Sequence, residues 1–94
     1  MEAQSESTEL LIWPNPNNDG KLTLTVDDLG EVIDQAVIAF MDMAGRTVYS
    51  ESVGVDGYML NTAVDLEGKL GNGIYIVSVR AGNHFYVRRL VLDR

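Results

Sequence analysis

His84 is the residue of this chain best suited to moving a proton at neutral pH, and it stands beside Asn83 in a turn-like stretch. No serine and aspartate pattern surrounds it that would make it the oriented base of a nucleophile. It also lacks the companion N or S ligands that zinc requires, and the chain has no cysteine to supply a thiolate. An exposed turn histidine is the simpler reading. Oxygen ligands are more numerous. Residues 15–19 have the look of a calcium loop but lack the fixed alternation and closing bidentate glutamate of an EF-hand, so turn chemistry accounts for them better. Asp27, Asp28, Glu31 and Asp34 could gather a cation, with a solvated acidic loop as the plainer alternative. Gly68, Gly71 and Gly73 are wrongly spaced for a phosphate cradle, and no helical pattern follows whose amides could point at a phosphate. Trp13, Tyr49, Tyr58, Tyr75 and Tyr86 would make a carbohydrate platform if several shared one exposed face, against the competing use of such rings in packing. The residues therefore predict no catalytic group, no metal, no cofactor and no small-molecule substrate.

Any such side chains would be positioned by a chain of 94 residues, enough for one domain. At that size roughly 60–65% of the unfolded surface is buried on folding. Apolar residues make up 46% and charged residues 22%, spread along the chain rather than blocked into a tail, which is the balance of a folded protein. Without cysteine, stability rests on packing and hydrogen bonds. The formal net charge of −7 argues against a nucleic-acid footprint, since neutralising phosphates needs clustered Lys and Arg, and it favours solubility. No apolar run approaches the ~20 residues of a spanning helix. Residues 1–9 lack the basic and apolar regions of a signal peptide. If the chain is exported, it is expected to be the tail of a longer precursor, with acidic, Ser-rich residues 1–9 as residual linker and residues 10–94 as the domain.

The rhythm along the chain has a period of two rather than 3.6. Leu22, Leu24 and Val26 alternating with Lys21, Thr23 and Thr25 are the clearest case. About seven strands are predicted, near 9–13, 21–26, 35–41, 47–53, 58–66 (as one strand or broken in two), 73–80 and 85–92. The segments between them carry turn chemistry: Asn17-Asn18-Asp19-Gly20 with self-bonding side chains, Met43-Ala44-Gly45-Arg46 with a glycine for the left-handed conformation, Gly71-Asn72-Gly73, and Ala81-Gly82-Asn83. Residues 27–34 are read as a loop. Short antiparallel strands at this spacing predict an all-β, immunoglobulin-like antiparallel sandwich. Leu22, Leu24, Val26, Ile38, Phe40, Val48, Tyr75, Val77 and Val79 are assigned to its inner faces. In the final strand Phe85, Val87 and Val91 oppose Tyr86, Leu90 and Leu92. Both faces are apolar, so this strand is expected to be either central and doubly covered or a place where another protein is met.

Four motifs occur in order: Trp13-Pro14-Asn15-Pro16 with Gly20; Asp42 with Gly45 and Arg46; Leu70 with Gly73 and Tyr75; and the basic-apolar Arg88-Arg89-Leu90-Val91-Leu92. Each alone is common in β proteins. Together, over about residues 10 to 94, they resemble the C-terminal sorting domain of type IX secretion cargo in Bacteroidota. Gly71 departs from the family pattern where a proline is common, and Gly68-Lys69 looks like a small insertion.

The resemblance implies a signal rather than an enzyme. It implies that the folded domain directs a cargo from the periplasm through the outer-membrane translocon, with shuttle proteins as further partners. Removal by the system's sortase-type cysteine protease would follow, with cleavage in or before residues 1–9 and the cargo released or joined to anionic lipopolysaccharide. It also implies that Arg88, Arg89, Leu90, Val91 and Leu92 are read by the translocon. Pro14, Asn15, Pro16, Gly20, Asp42, Gly45, Arg46, Gly73 and Tyr75 would then fix the fold that presents them. From the residues alone, Arg88 and Arg89 equally suit an edge strand blunted against aggregation. An exposed final strand would also permit weak homodimers through strand edges. The rival reading is an immunoglobulin-like binding module for sugar or protein. An enzyme fragment is set aside for want of a base near a nucleophile.

Overall fold

A computed structural model describes residues 10–93; the linker expected at residues 1–9 lies outside the described residues. Seven strands follow in order: β1 (Leu10–Trp13), β2 (Lys21–Val26), β3 (Ile33–Met41), β4 (Thr47–Gly57), β5 (Leu60–Asp65), β6 (Gly73–Ala81) and β7 (His84–Leu92). They form two antiparallel sheets, one of order β1-β2-β5 and one of order β4-β3-β6-β7, in a sandwich-like arrangement. The chain crosses between sheets after β2, β4 and β5, while β1-β2, β3-β4 and β6-β7 are hairpins.

Alternation decides which side of each strand is buried. Leu22, Leu24 and Val26 of β2 face Ile38 and Phe40 of β3 and Val77 and Val79 of β6 in one core, which Leu10, Ile12, Leu60, Val64, Leu66, Leu90 and Leu92 complete. Of the residues assigned to the inner faces from sequence, Val48 alone is only half-buried, because β4 is an edge strand and its inner side meets solvent at the margin. Phe40 and Tyr49 pair across β3 and β4 with ring centroids 5.7 Å apart, edge to face.

Three strand boundaries differ from expectation by two residues or more. β3 starts at Ile33 and β4 runs to Gly57, because their pairing continues through a bulge between Ile33 and Gln35. Gly54 and Gly57 hid that extension, since glycine weakens a strand signal. The apolar stretch expected as a strand from 58 splits instead. Tyr58 and Met59 sit exposed in the turn closed by the Asp56–Met59 bridge, and β5 begins only at Leu60. Residues 27–32 are a loop, pinned by fully buried Leu29, whose amide donates to the Tyr58 carbonyl at 2.7 Å.

Candidate functional site

The four sequence motifs fall into three places. The second stands alone at the β3–β4 turn. Asp42 accepts from the amides of Ala44 and Arg46, both at 3.0 Å, through one carboxylate oxygen, and holds the Arg46 guanidinium at 3.0 and 3.2 Å with the other. Gly45 takes φ of +91°, which lets its amide reach the Asp42 carbonyl at 3.0 Å. The Arg46 amide first, and its guanidinium next, hold the Asp42 carboxyl below the usual carboxylate range. The spacing Asp-x-x-Gly-Arg is thus a self-sealed turn that fixes the β3–β4 register.

The third motif organises the approach to β6. Leu70 and Tyr75 are buried, and the Tyr75 hydroxyl donates to the Gly71 carbonyl at 2.7 Å, tying the preceding loop to the strand. Gly73 opens β6 opposite Leu92.

The first and fourth motifs meet. β7 is the edge of the four-stranded sheet, and the loop after β1 lies along its outer side. The Asn15 side chain behaves like a strand peptide, donating to the Arg89 carbonyl at 2.8 Å and accepting from the Val91 amide at 3.1 Å. The Asn17 backbone continues the ladder, donating to the Val91 carbonyl and accepting from the Asp93 amide, each at 2.8 Å. Asn17 is 0% exposed. Its side-chain nitrogen donates to the carbonyls of Lys21 (2.8 Å) and Pro14 (3.3 Å), and its oxygen accepts from the amides of Gly20 (2.6 Å) and Asp19 (3.2 Å). Every polar atom of this buried residue is satisfied. Gly20 makes the turn possible with φ of +82°, and its carbonyl accepts from the Leu66 amide at 2.7 Å. Pro14 and Pro16, each following a cis peptide bond, flank Asn15.

On β7 the structure separates the residues read as one segment. Leu90 and Leu92 are core. Arg89 and Val91 point outward, and Arg88, on the inner side of this edge strand, reaches the Leu10 carbonyl at 3.3 Å with its guanidinium, bridging the two sheets. A cleft of about 260 Å³ lies between Asn15, Pro16 and the Arg88–Arg89 pair. Asn17 was legible in sequence only as a turn residue, and its strand-like pairing with β7 was missed. No local signal marks a contact between residues more than 70 positions apart, as the Asn15 bonds are.

The other candidates are scattered. His84 opens β7, half-exposed, 3.4 Å from Glu31 and stacked on Tyr86. In the loop after β2, Asp28 accepts from the Gly30 amide at 2.8 Å, and no group of three or more His, Asp or Glu gathers among the described residues. Tyr75 and Tyr49 turn inward, Tyr58 lies at the β4–β5 turn, and Trp13 stands on the outer face of the three-stranded sheet, so the aromatics share no platform. Trp13 instead borders a shallow groove of about 310 Å³ with Pro14, Thr23 and Ala63.

Among known proteins, the sequence profile described as secretion system C-terminal sorting domain matches residues 11–93. The chain belongs to that family. It is a non-catalytic sorting domain of type IX secretion, and its place is extracytoplasmic, with the translocon of that system as its partner. A comparison with curated proteins finds no match.

Proposed function

We propose that the domain carries a cargo joined at its N-terminal side from the periplasm through the type IX outer-membrane translocon to the cell surface, handed on by shuttle proteins. A sortase-type cysteine protease then cuts in or before residues 1–9. The cargo is released or attached to lipopolysaccharide. The observation that carries this reading is the union of the first and fourth family motifs in one hydrogen-bonded unit. The first motif thus holds in place the strand that the fourth motif forms, β7, which is what a signal read there requires. Within the segment Arg88, Arg89, Leu90, Val91 and Leu92, Leu90 and Leu92 anchor the strand while Arg89 and Val91 face a partner. The order β1-β2-β5 against β4-β3-β6-β7 supports an immunoglobulin-like connectivity. The open edge of β4, and that of β7 before Arg89, leave room for weak pairing of two domains.

The test is surface delivery in a type IX host of a fluorescent protein bearing a signal peptide, with and without this domain at its C-terminus. Delivery of the tagged protein alone is expected. Retention of a folded fusion in the periplasm would sink the sorting role. Truncation within β7 is a poor substitute, because it removes Leu90 and Leu92 from the core and unfolds the signal along with deleting it. The groove at Trp13 favours a second reading, an appended carbohydrate-binding module, which titration with oligosaccharides followed by Trp13 fluorescence would detect.

A further inference from the structure

In a two-sheet protein the faces turned away from the core are ordinarily polar. The outer face of the four-stranded sheet departs from this. Its register sets Val37, Arg80 and Phe85 side by side across β3, β6 and β7. The next row is Ala39, Ser78 and Val87, and beyond it Arg89 stands opposite Ile76. Phe85 is 58% and Val87 52% exposed, with Val37 and Ile74 nearly as open. Ser78, small and in the middle, is buried by these taller neighbours, which makes the patch shallowly concave. These rows hold two arginines and no carboxylate. Neither Arg80 nor Arg89 has an acidic partner among the described residues; the Arg80 guanidinium lies 5.8 Å over the Phe85 ring. On a chain of net charge −7 this is a local positive pole with an apolar centre.

We propose that this outer face of β3, β6 and β7 is the surface by which the domain docks on a protein of the type IX machinery whose own contact surface is apolar and rimmed by Asp or Glu. The inference rests on the sorting role and adds to it: recognition runs across a sheet face rather than along the strand edge, since Asn15 and Asn17 already occupy the edge of β7 from Arg89 onward. Charge complementarity selects the occupant. A second copy of the chain, or an anionic bilayer, would meet the repulsion of the whole molecule's net negative charge, whereas a protein surface can place its acids opposite Arg80 and Arg89 alone. Three strands at about 4.8 Å spacing and about 20 Å of their length give a patch of roughly 300 Å². That is well short of the ~800 Å² per partner of a durable complex, and it suits a partner that must let go.

The test uses the whole chain as the tail of the exported fluorescent protein, comparing wild type, Arg80→Glu/Arg89→Glu, Phe85→Ser/Val87→Ser, and, on the exposed face of the opposite sheet, Leu11→Ser. Each purified domain is checked for a thermal midpoint near that of wild type. Both paired variants are expected to lower surface delivery at least about tenfold, with Leu11→Ser unaffected. Wild-type delivery by either folded pair variant overturns the docking face while leaving the sorting role intact. Failure of the wild-type fusion overturns the sorting role and this face with it. Sedimentation showing a dimer that Phe85→Ser/Val87→Ser abolishes would overturn the proposal in favour of a second copy. Binding to phosphatidylglycerol vesicles that Arg80→Glu/Arg89→Glu abolishes would overturn it in favour of lipid.

Discussion

Asn17 concentrates more of the fold than any residue of its size, because its backbone extends one ladder while its amide closes the turn after β1. Replacement by alanine would strand the Lys21 carbonyl and the Gly20 amide in a fully buried site, and a buried polar group left without a partner costs about 1–3 kcal/mol. Asn17→Ala is therefore expected to lose about 2–4 kcal/mol in urea unfolding. Asn17→Asp should fare no better, since it keeps the acceptor, loses both donations and buries a charge. Asn18, exposed and one position along, is the matched control, with a change within about 0.5 kcal/mol for Asn18→Ala. The turn itself was legible in the Asn-Asn-Asp-Gly run, because Asx side chains bonding the backbone a few residues on is local chemistry. That the same asparagine is buried was not legible. Burial depends on where β7 arrives, and nothing within a dozen residues of Asn17 encodes that.

At the level of elements, β2 announced itself, since Leu22, Leu24 and Val26 alternate with Lys21, Thr23 and Thr25, and β3 and β6 were legible as apolar runs bounded by turn residues. β7 did not. Its two apolar faces left the register open, and the structure resolves it through the partners: Leu90 lies opposite Tyr75 and Leu92 opposite Gly73, on the side where β6 is buried. The outward residues Phe85 and Val87 remain apolar without a cover among the described residues. Two measurements separate the faces of this strand. Leu90→Ala, which empties a fully buried site, should cost about 2–5 kcal/mol. Val87→Thr, on the opposite face, should leave the urea midpoint within about 0.5 kcal/mol of wild type. Equal losses would mean that the outer face is packed in solution. The β4–β5 region was the least legible element, for the opposite reason: Tyr58 and Met59 have strand-like chemistry but sit where Gly57, at φ of +76°, turns the chain into the other sheet.

The molecule as a whole should show a lopsided response to pH. Asp42 titrates in the folded state below its ordinary 3.8, so its contribution is present above that value and is lost as the pH falls through the lower folded one. Tyr49, through its bond to Glu51 and then burial, and Tyr86, through burial and then Asp28, titrate above 10.0, so their contribution holds below that pH and is lost as the pH rises through the raised values. Self-repulsion tips the balance. Acid discharges a chain of net charge −7 and relieves strain among its carboxylates, whereas base adds to it. The thermal midpoint followed by circular dichroism should be flat through neutrality, decline gently below about pH 4 and fall more steeply above about pH 10. Asp42→Asn should flatten the acid limb and Tyr49→Phe should soften the alkaline one. The bonds from Asn15 and Asn17 to β7 carry a further consequence, for synthesis rather than recognition. The first motif to emerge from the ribosome cannot settle until the last strand has been made, so a precursor broken off before β7 never completes this domain. Only a chain translated through Leu92 would carry a finished signal, and on the proposed sorting role the fold would thereby certify any cargo joined ahead of it.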